Sequence, residues 1–151
     1  MKRLTNLSVG WHGLLEAVGL FVESWKPLRC ACESEYRDQL ATSLRDSVPD
    51  DVRVESEYRD RGTTIDLWIR WPGILISSEV AIEIKLDLRK KTEFDRLVGQ
   101  IESLDPVNRN VLVALIGDCD PAFPGRLREK YRPAPLLFAQ KTFRIAQVAI
   151  G

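Results

Sequence analysis

The sequence predicts an α/β domain with a mixed central sheet flanked by helices. Apolar residues recur first at three- and four-residue steps, then at two-residue steps, and the two periods afterwards interleave, giving the order α, α, β, β, β, α, β, α, β. The 151 residues include 44% hydrophobic and 29% charged side chains, the balance of one globular domain with a core large enough to stand alone. No repeat and no Pro/Gly/Ser-rich linker divides the chain, so it reads as one domain over 1–151, with an N-terminal helical extension at about 1–32.

The first helix spans residues 11 to 25, where Trp11, Leu14, Leu15, Val18, Phe21, Val22 and Trp25 form one wide apolar face. Gly10, Gly13 and Gly19 weaken this helix or admit a close neighbour, and Pro27 ends it. A second helix over Glu33 to Ser47 follows from Tyr36, Leu40 and Leu44 at i, i+4 and i+8 before Pro49. At about 100° per residue, Glu33 falls between Leu40 and Leu44 on the inward face. A carboxylate there is either a frayed first-turn residue favoured by the helix dipole or a group that needs a partner.

The period then changes to two. Val52 and Val54 alternate with Arg53 and Glu55, and Thr63 to Trp71 sets Ile65, Leu67, Ile69 and Trp71 against Thr64, Asp66, Trp68 and Arg70. These are two antiparallel strands joined through Tyr58 to Gly62, with Pro72-Gly73 making the next turn. In the third strand Val80, Ile82, Ile84 and Leu86 alternate with Ala81, Glu83, Lys85 and Asp87. Thr92 can cap the following helix with Asp95 at its third position, Phe94, Leu97, Val98, Ile101 and Leu104 supply its apolar face, and it ends near Asp105-Pro106. Asn110 to Ile116 reads as a buried strand, Phe123 to Tyr131 as a short basic helix and Leu136 to Ala139 as a last strand.

Composition narrows the function classes. Twenty-two basic and 22 acidic residues cancel, which excludes a histone-like binder held by a general basic field. Three cysteines, Cys30, Cys32 and Cys119, are too few for a disulfide scaffold and point to a reducing, cytoplasmic compartment. The Cys30-x-Cys32 pair reads as two buried small apolar residues, and His12 as a residue at the edge of the core, so a structural zinc site has almost no ligands to draw on. Glu16 and Glu23 interrupt the most apolar early stretch, so no membrane span or signal peptide is expected. Seven large apolar residues on the first helix are more than one helix on a small sheet needs, which predicts a homodimer contact there; alternatively Trp11 and Trp25 complete a monomer core.

Chemistry is suggested by three polar residues in strands that otherwise bury apolar ones: Asp66, then Glu83 and Lys85. Buried Asp, Glu and Lys are tolerated chiefly when paired or metal-bound; on a solvated face, Glu83 and Lys85 would be ordinary surface charges. Asp66 followed by Glu83-Ile84-Lys85 in strand-turn-strand, then by a helix containing Gln100, resembles the PD-(D/E)xK nuclease superfamily with its restriction-endonuclease-like fold. The stretch Glu33-Ser34-Glu35-Tyr36 with Leu40 and Leu44 also resembles the first helix of archaeal Holliday-junction resolvases. The likeness covers roughly Glu33 to Gly117, with Ile65 where proline commonly precedes the aspartate.

The resemblance implies a metal-dependent nuclease acting on phosphodiester bonds, an endonuclease on DNA. Asp66 and Glu83 would offer hard oxygen ligands to Mg²⁺ or Mn²⁺, with the Ile84 carbonyl as a third. Lys85 would stabilise charge developing on the phosphate or orient the attacking water. Glu33 would complete the metal shell or hold a water beside it, and Gln100 would position that water or a ligand carboxylate. Residues 33 to 60 carry nine acidic and four basic side chains, whereas 126 to 132 carry four basic and one acidic. Lys90, Lys91, Arg126, Arg128, Lys130 and Arg132 would form a nucleic-acid-binding face, or else two solvated helix surfaces. Two other functions stay open: a non-catalytic nucleic-acid-binding or assembly module on the same fold, and an unrelated α/β interaction domain in which Glu-x-Lys is accidental.

Overall fold

The computed structural model describes residues 13–60, 62–73, 77–104, 110–132 and 142–151. Helices α1 (Gly13–Ser24) and α2 (Glu33–Ser47) precede strands β1 (Arg53–Asp60), β2 (Thr63–Trp71) and β3 (Ser78–Leu86); α3 (Lys91–Ser103), β4 (Asn110–Ile116), α4 (Ala122–Lys130) and β5 (Thr142–Val148) follow. The five strands form one mixed sheet in chain order, antiparallel from β1 to β3 and parallel from β3 to β5. The parallel steps are those that a helix has to cross, because parallel neighbours cannot be joined by a tight turn.

Side-chain parity builds the two faces. Leu112, Ala114 and Ile116 of β4 join Leu67, Ile69, Val80, Ile82 and Ile84 under α1 and α2. Val111, Val113 and Leu115 join Ile65, Trp68 and Ala81 under α3 and α4. Every residue of β4 is buried, as a central strand covered on both sides requires. Trp68 and Trp71, an odd step apart, pack on opposite faces of the sheet.

Leu14, Leu15, Val18 and Val22 of α1 are buried against the chain's own sheet, and Phe21 and Trp25 are half-buried at the edge of that core. Gly19 admits the close neighbour anticipated for it. The Arg144 side chain of β5 crosses the helix there, its Nε 2.1 Å from where a Cβ would stand, and its guanidinium reaches Glu23 at 3.1 Å.

Several expectations need correction. The β1–β2 hairpin pairs through Asp60↔Thr63, so Tyr58 to Asp60 are strand and not turn, because Tyr58 stacks on Trp68 with ring centroids 4.2 Å apart. Thr92 lies inside α3 and does not cap it. The helix starts two residues earlier than a Thr92 cap would give, with Lys90 at the cap, the Phe94 N–H on the Lys90 carbonyl and Lys91 paired to Asp95 at 2.7 Å. The last described strand is Thr142–Val148; the strand expected at Leu136 to Ala139 lies outside the described residues, as do Trp11 and His12. Cys30 is half-buried at the edge of the core and Cys32 is exposed, since both precede α2 on a surface segment.

Candidate active site

The site is created where pairing stops. The β2–β3 ladder runs from Trp71↔Ser78 to Leu67↔Ile82 and ends there, one step before Asp66 and Glu83 would face each other. On its other side, Asp66 is skipped between the pairs Ser56↔Leu67 and Tyr58↔Ile65, opposite Glu57, whose φ of 51° turns its backbone out of the strand conformation. Asp66 thus has no strand partner in either ladder. Its Oδ2 accepts the Ile84 N–H at 2.8 Å, replacing the missing strand-to-strand bond.

The next N–H on that edge of β3 is also taken by a carboxylate. Leu86 N–H donates to Glu33 Oε2 at 3.1 Å, which ties the first residue of α2 to the end of β3. The other Glu33 oxygen lies 3.9 Å from the Lys85 Nζ. Burial pushes the Glu33 carboxyl above its ordinary range, against the pull of Lys85 and the Leu86 N–H. The inward glutamate of the sequence is therefore partnered, and by two groups of β3.

Glu83 is fully buried, and neither of its oxygens has a hydrogen-bond partner. Burial pushes its carboxyl up to about 9, and the neighbouring Asp66 carboxylate adds to the rise. Burial and the like charge of Asp66 thus both favour the protonated form of the Glu83 carboxyl. Glu83 and Lys85 are two residues apart and lie on the same side of β3, on the parity of Ala81, which packs under α3. With its side chain 14% exposed, Lys85 is closer to a buried ammonium than to a surface charge.

A cavity of ≈ 180 Å³ opens beside this cluster, lined by Glu33, Lys85, Leu86, Leu88, Glu93 and Arg96. Glu93 and Arg96 were not anticipated from the sequence. Their signal is helical spacing, since positions 93, 96 and 100 lie at i, i+3 and i+7 on α3 and form one polar stripe ending at Gln100. The Gln100 Oε1 is buried and has no hydrogen-bond partner.

The proposed nucleic-acid face is divided. Lys90, Lys91, Arg126, Arg128, Lys130 and Arg132 are all exposed on the α3/α4 side. Three of them are engaged by acids of their own chain: Lys91 by Asp95, Lys130 by Glu102 at 3.8 Å and Arg132 by Glu129 at 2.6 Å. Arg126 stands over the Phe123 ring. Phe94 stacks on Phe123 at the start of the two helices, and Tyr131 bonds Glu102 at their ends, so α3 and α4 run side by side in one direction. Lys90 and Lys91 are at the end nearer the carboxylates, and Lys130 and Arg132 at the far end.

Among the described residues, no group of three or more His, Cys, Asp or Glu is placed to hold a metal ion, and no helix is long and apolar enough to cross a membrane. Comparison of the chain with protein-family models, with curated proteins and with solved structures finds no match.

Proposed function

We propose that this chain is a metal-dependent nuclease that hydrolyses phosphodiester bonds, with DNA as its substrate class, and that its sheet is a restriction-endonuclease-like one. The observation that carries the reading is the buried Glu83 carboxyl, whose two oxygens lack any donor while the Asp66 carboxylate adjoins them. A fold does not gain stability from such a pair, and a hard divalent cation is the partner that satisfies both groups at once. Asp66, Glu83 and the Ile84 carbonyl would hold Mg²⁺ or Mn²⁺; Mg²⁺ needs only one or two carboxylates because it keeps several waters.

Bound there, the cation would supply Lewis acidity toward a phosphate oxygen and acidify water. The remaining work falls to the chain. Lys85 presents its ammonium beside Glu83 where negative charge develops on the phosphate, and Glu33 holds that ammonium in place. Glu33 is thereby a positioning residue, as its oxygens are taken by Leu86 N–H and Lys85. The unpartnered Gln100 Oε1 is an acceptor able to orient a water O–H.

The deciding experiment is cleavage of single-stranded, duplex and branched DNA and of RNA with Mg²⁺, Mn²⁺ or EDTA. Cleavage with either cation and none in EDTA is expected; a chain inert on every substrate refutes the enzyme reading. A second reading, the non-catalytic nucleic-acid-binding or assembly module, is favoured by the absence of a third carboxylate, histidine or cysteine placed to hold a metal among the described residues. Binding without cleavage, and no Mn²⁺ anomalous signal between Asp66 and Glu83 in soaked crystals, would select it.

A further inference from the structure

On the α3/α4 side four basic side chains are held by acids of the chain, whereas Lys90, Arg96, Arg126 and Arg128 have no ion pair among the described residues, and one of these four stands at the candidate site. Arg89 is bonded to Asp118, Lys91 to Asp95, Lys130 to Glu102 and Arg132 to Glu129. Arg96 has no ion pair or hydrogen bond among the described residues, and of the basic residues on α3 and α4 it alone lines the cavity beside Lys85. An exposed guanidinium and a largely buried ammonium, two positive groups of different kinds, thus line one cavity together with the carboxylates of Glu33 and Glu93. Lysine acts on phosphate as a point charge, whereas arginine grips a tetrahedral oxyanion through two parallel N–H groups.

We propose that Arg96 binds a backbone phosphate of the nucleic acid next to the one that Lys85 serves, so that the substrate enters along α3. The inference rests on the nuclease reading. It differs from the face drawn from the sequence, because four of those six cations are occupied by acids or by an aromatic ring, while Arg96 was not among them. A phosphate contact carries no base information, so the contribution of Arg96 should be the same on every sequence.

The test is fluorescence anisotropy of labelled DNA with the full chain in EDTA over a salt series, comparing wild type with Arg96→Ala, Arg96→Lys and Arg59→Ala. The last removes the same charge from an exposed position on β1. Arg96→Ala should weaken binding about tenfold on unrelated sequences and lower the slope of log K against log salt by about one. Arg96→Lys should restore the slope but only part of the affinity, and Arg59→Ala should resemble wild type. Unchanged affinity and slope in Arg96→Ala, with wild type binding normally, overturns the assignment and leaves the nuclease reading standing. An equal loss in Arg59→Ala overturns it as well, since net charge would then be the cause. If wild type neither binds nor cleaves any nucleic acid, the nuclease reading fails and Arg96 falls with it.

Discussion

Replacing Glu83 by glutamine should make the metal-free protein more stable. Folding moves the carboxyl from its ordinary value of 4.5 up to about 9, so the folded state binds a proton that the unfolded chain releases through most of that window. Where the folded state holds more protons, stability falls as pH rises. The penalty is absent below 4.5, grows by about 1.4 kcal/mol for each pH unit above it, and reaches about 3 kcal/mol at pH 7 as an upper figure. Glutamine carries no such term, and its amide N–H can donate to the Asp66 carboxylate at every pH. At 2–4 °C per kcal/mol for a chain of this size, Glu83→Gln should raise Tm in EDTA by about 6–12 °C at pH 7. Thermal melts at pH 5, 6, 7 and 8 check this, because the gap between variant and wild type should widen steadily with pH. Adding Mn²⁺ should then raise the wild-type Tm and leave the variant unmoved, since only the carboxylate offers the cation a ligand. A variant that melts at or below wild type at pH 8 in EDTA, or a gap that does not change with pH, would refute the argument that Glu83 is a buried acid without a partner.

Three further outcomes follow from the same geometry. Lys85→Ala should lower cleavage by about 10²-fold or more while keeping the Mn²⁺-dependent rise in Tm, because its ammonium acts on developing charge; turnover assays beside melts would show wild-type activity if that role is wrong. Asp66→Asn should fold, since the amide oxygen can still accept the Ile84 N–H and its NH₂ can donate to Glu83, yet it should lose both the Mn²⁺ shift and activity, as read by calorimetric titration and cleavage. Gly117→Ala should cost about 2 kcal/mol, because φ is +81° and the new Cβ would stand 2.3 Å from Asp87 Oδ1; urea melts showing no loss would refute the strain.

The fold was legible wherever a local pattern and its neighbours agree. Tyr36, Leu40 and Leu44 followed by Pro49 mark α2 over Glu33–Ser47, and all three are buried. The unbroken apolar run of β4 marks a strand covered on both faces, which it is. Local pattern failed for β5, where Arg144 and Gln147 dilute the alternation, so that no strand is expected over Thr142–Val148 from the sequence. What makes Arg144 acceptable in β5 is the bare backbone of Gly19 and the carboxylate of Glu23 on α1, some 120 residues earlier in the chain. No window along the sequence contains that contact.

The candidate site divides in the same way. Asp66, Glu83 and Lys85 stand out in sequence because each is a polar residue in a strand built from buried ones, and Glu33 because helical spacing turns it inward. The break in pairing that gives them something to do is absent from any such pattern. The ladder that stops at Leu67↔Ile82 and the left-handed turn at Glu57 open β2 on both sides of Asp66, and only then can carboxylates reach the N–H groups of Ile84 and Leu86. Arg96 was missed for a related reason. On α3 alone it is one more exposed basic residue; it differs from Lys91 only because Asp95 pairs with the one and no acid reaches the other. Unpaired polar groups cost stability, and in this chain Glu83 is buried without a donor and Gln100 Oε1 without a partner, while Arg96, without an acid, lines the cavity beside Lys85. Where Glu83 stands against Asp66, and Arg96 shares a cavity with Lys85, a charged ligand would supply the missing partners.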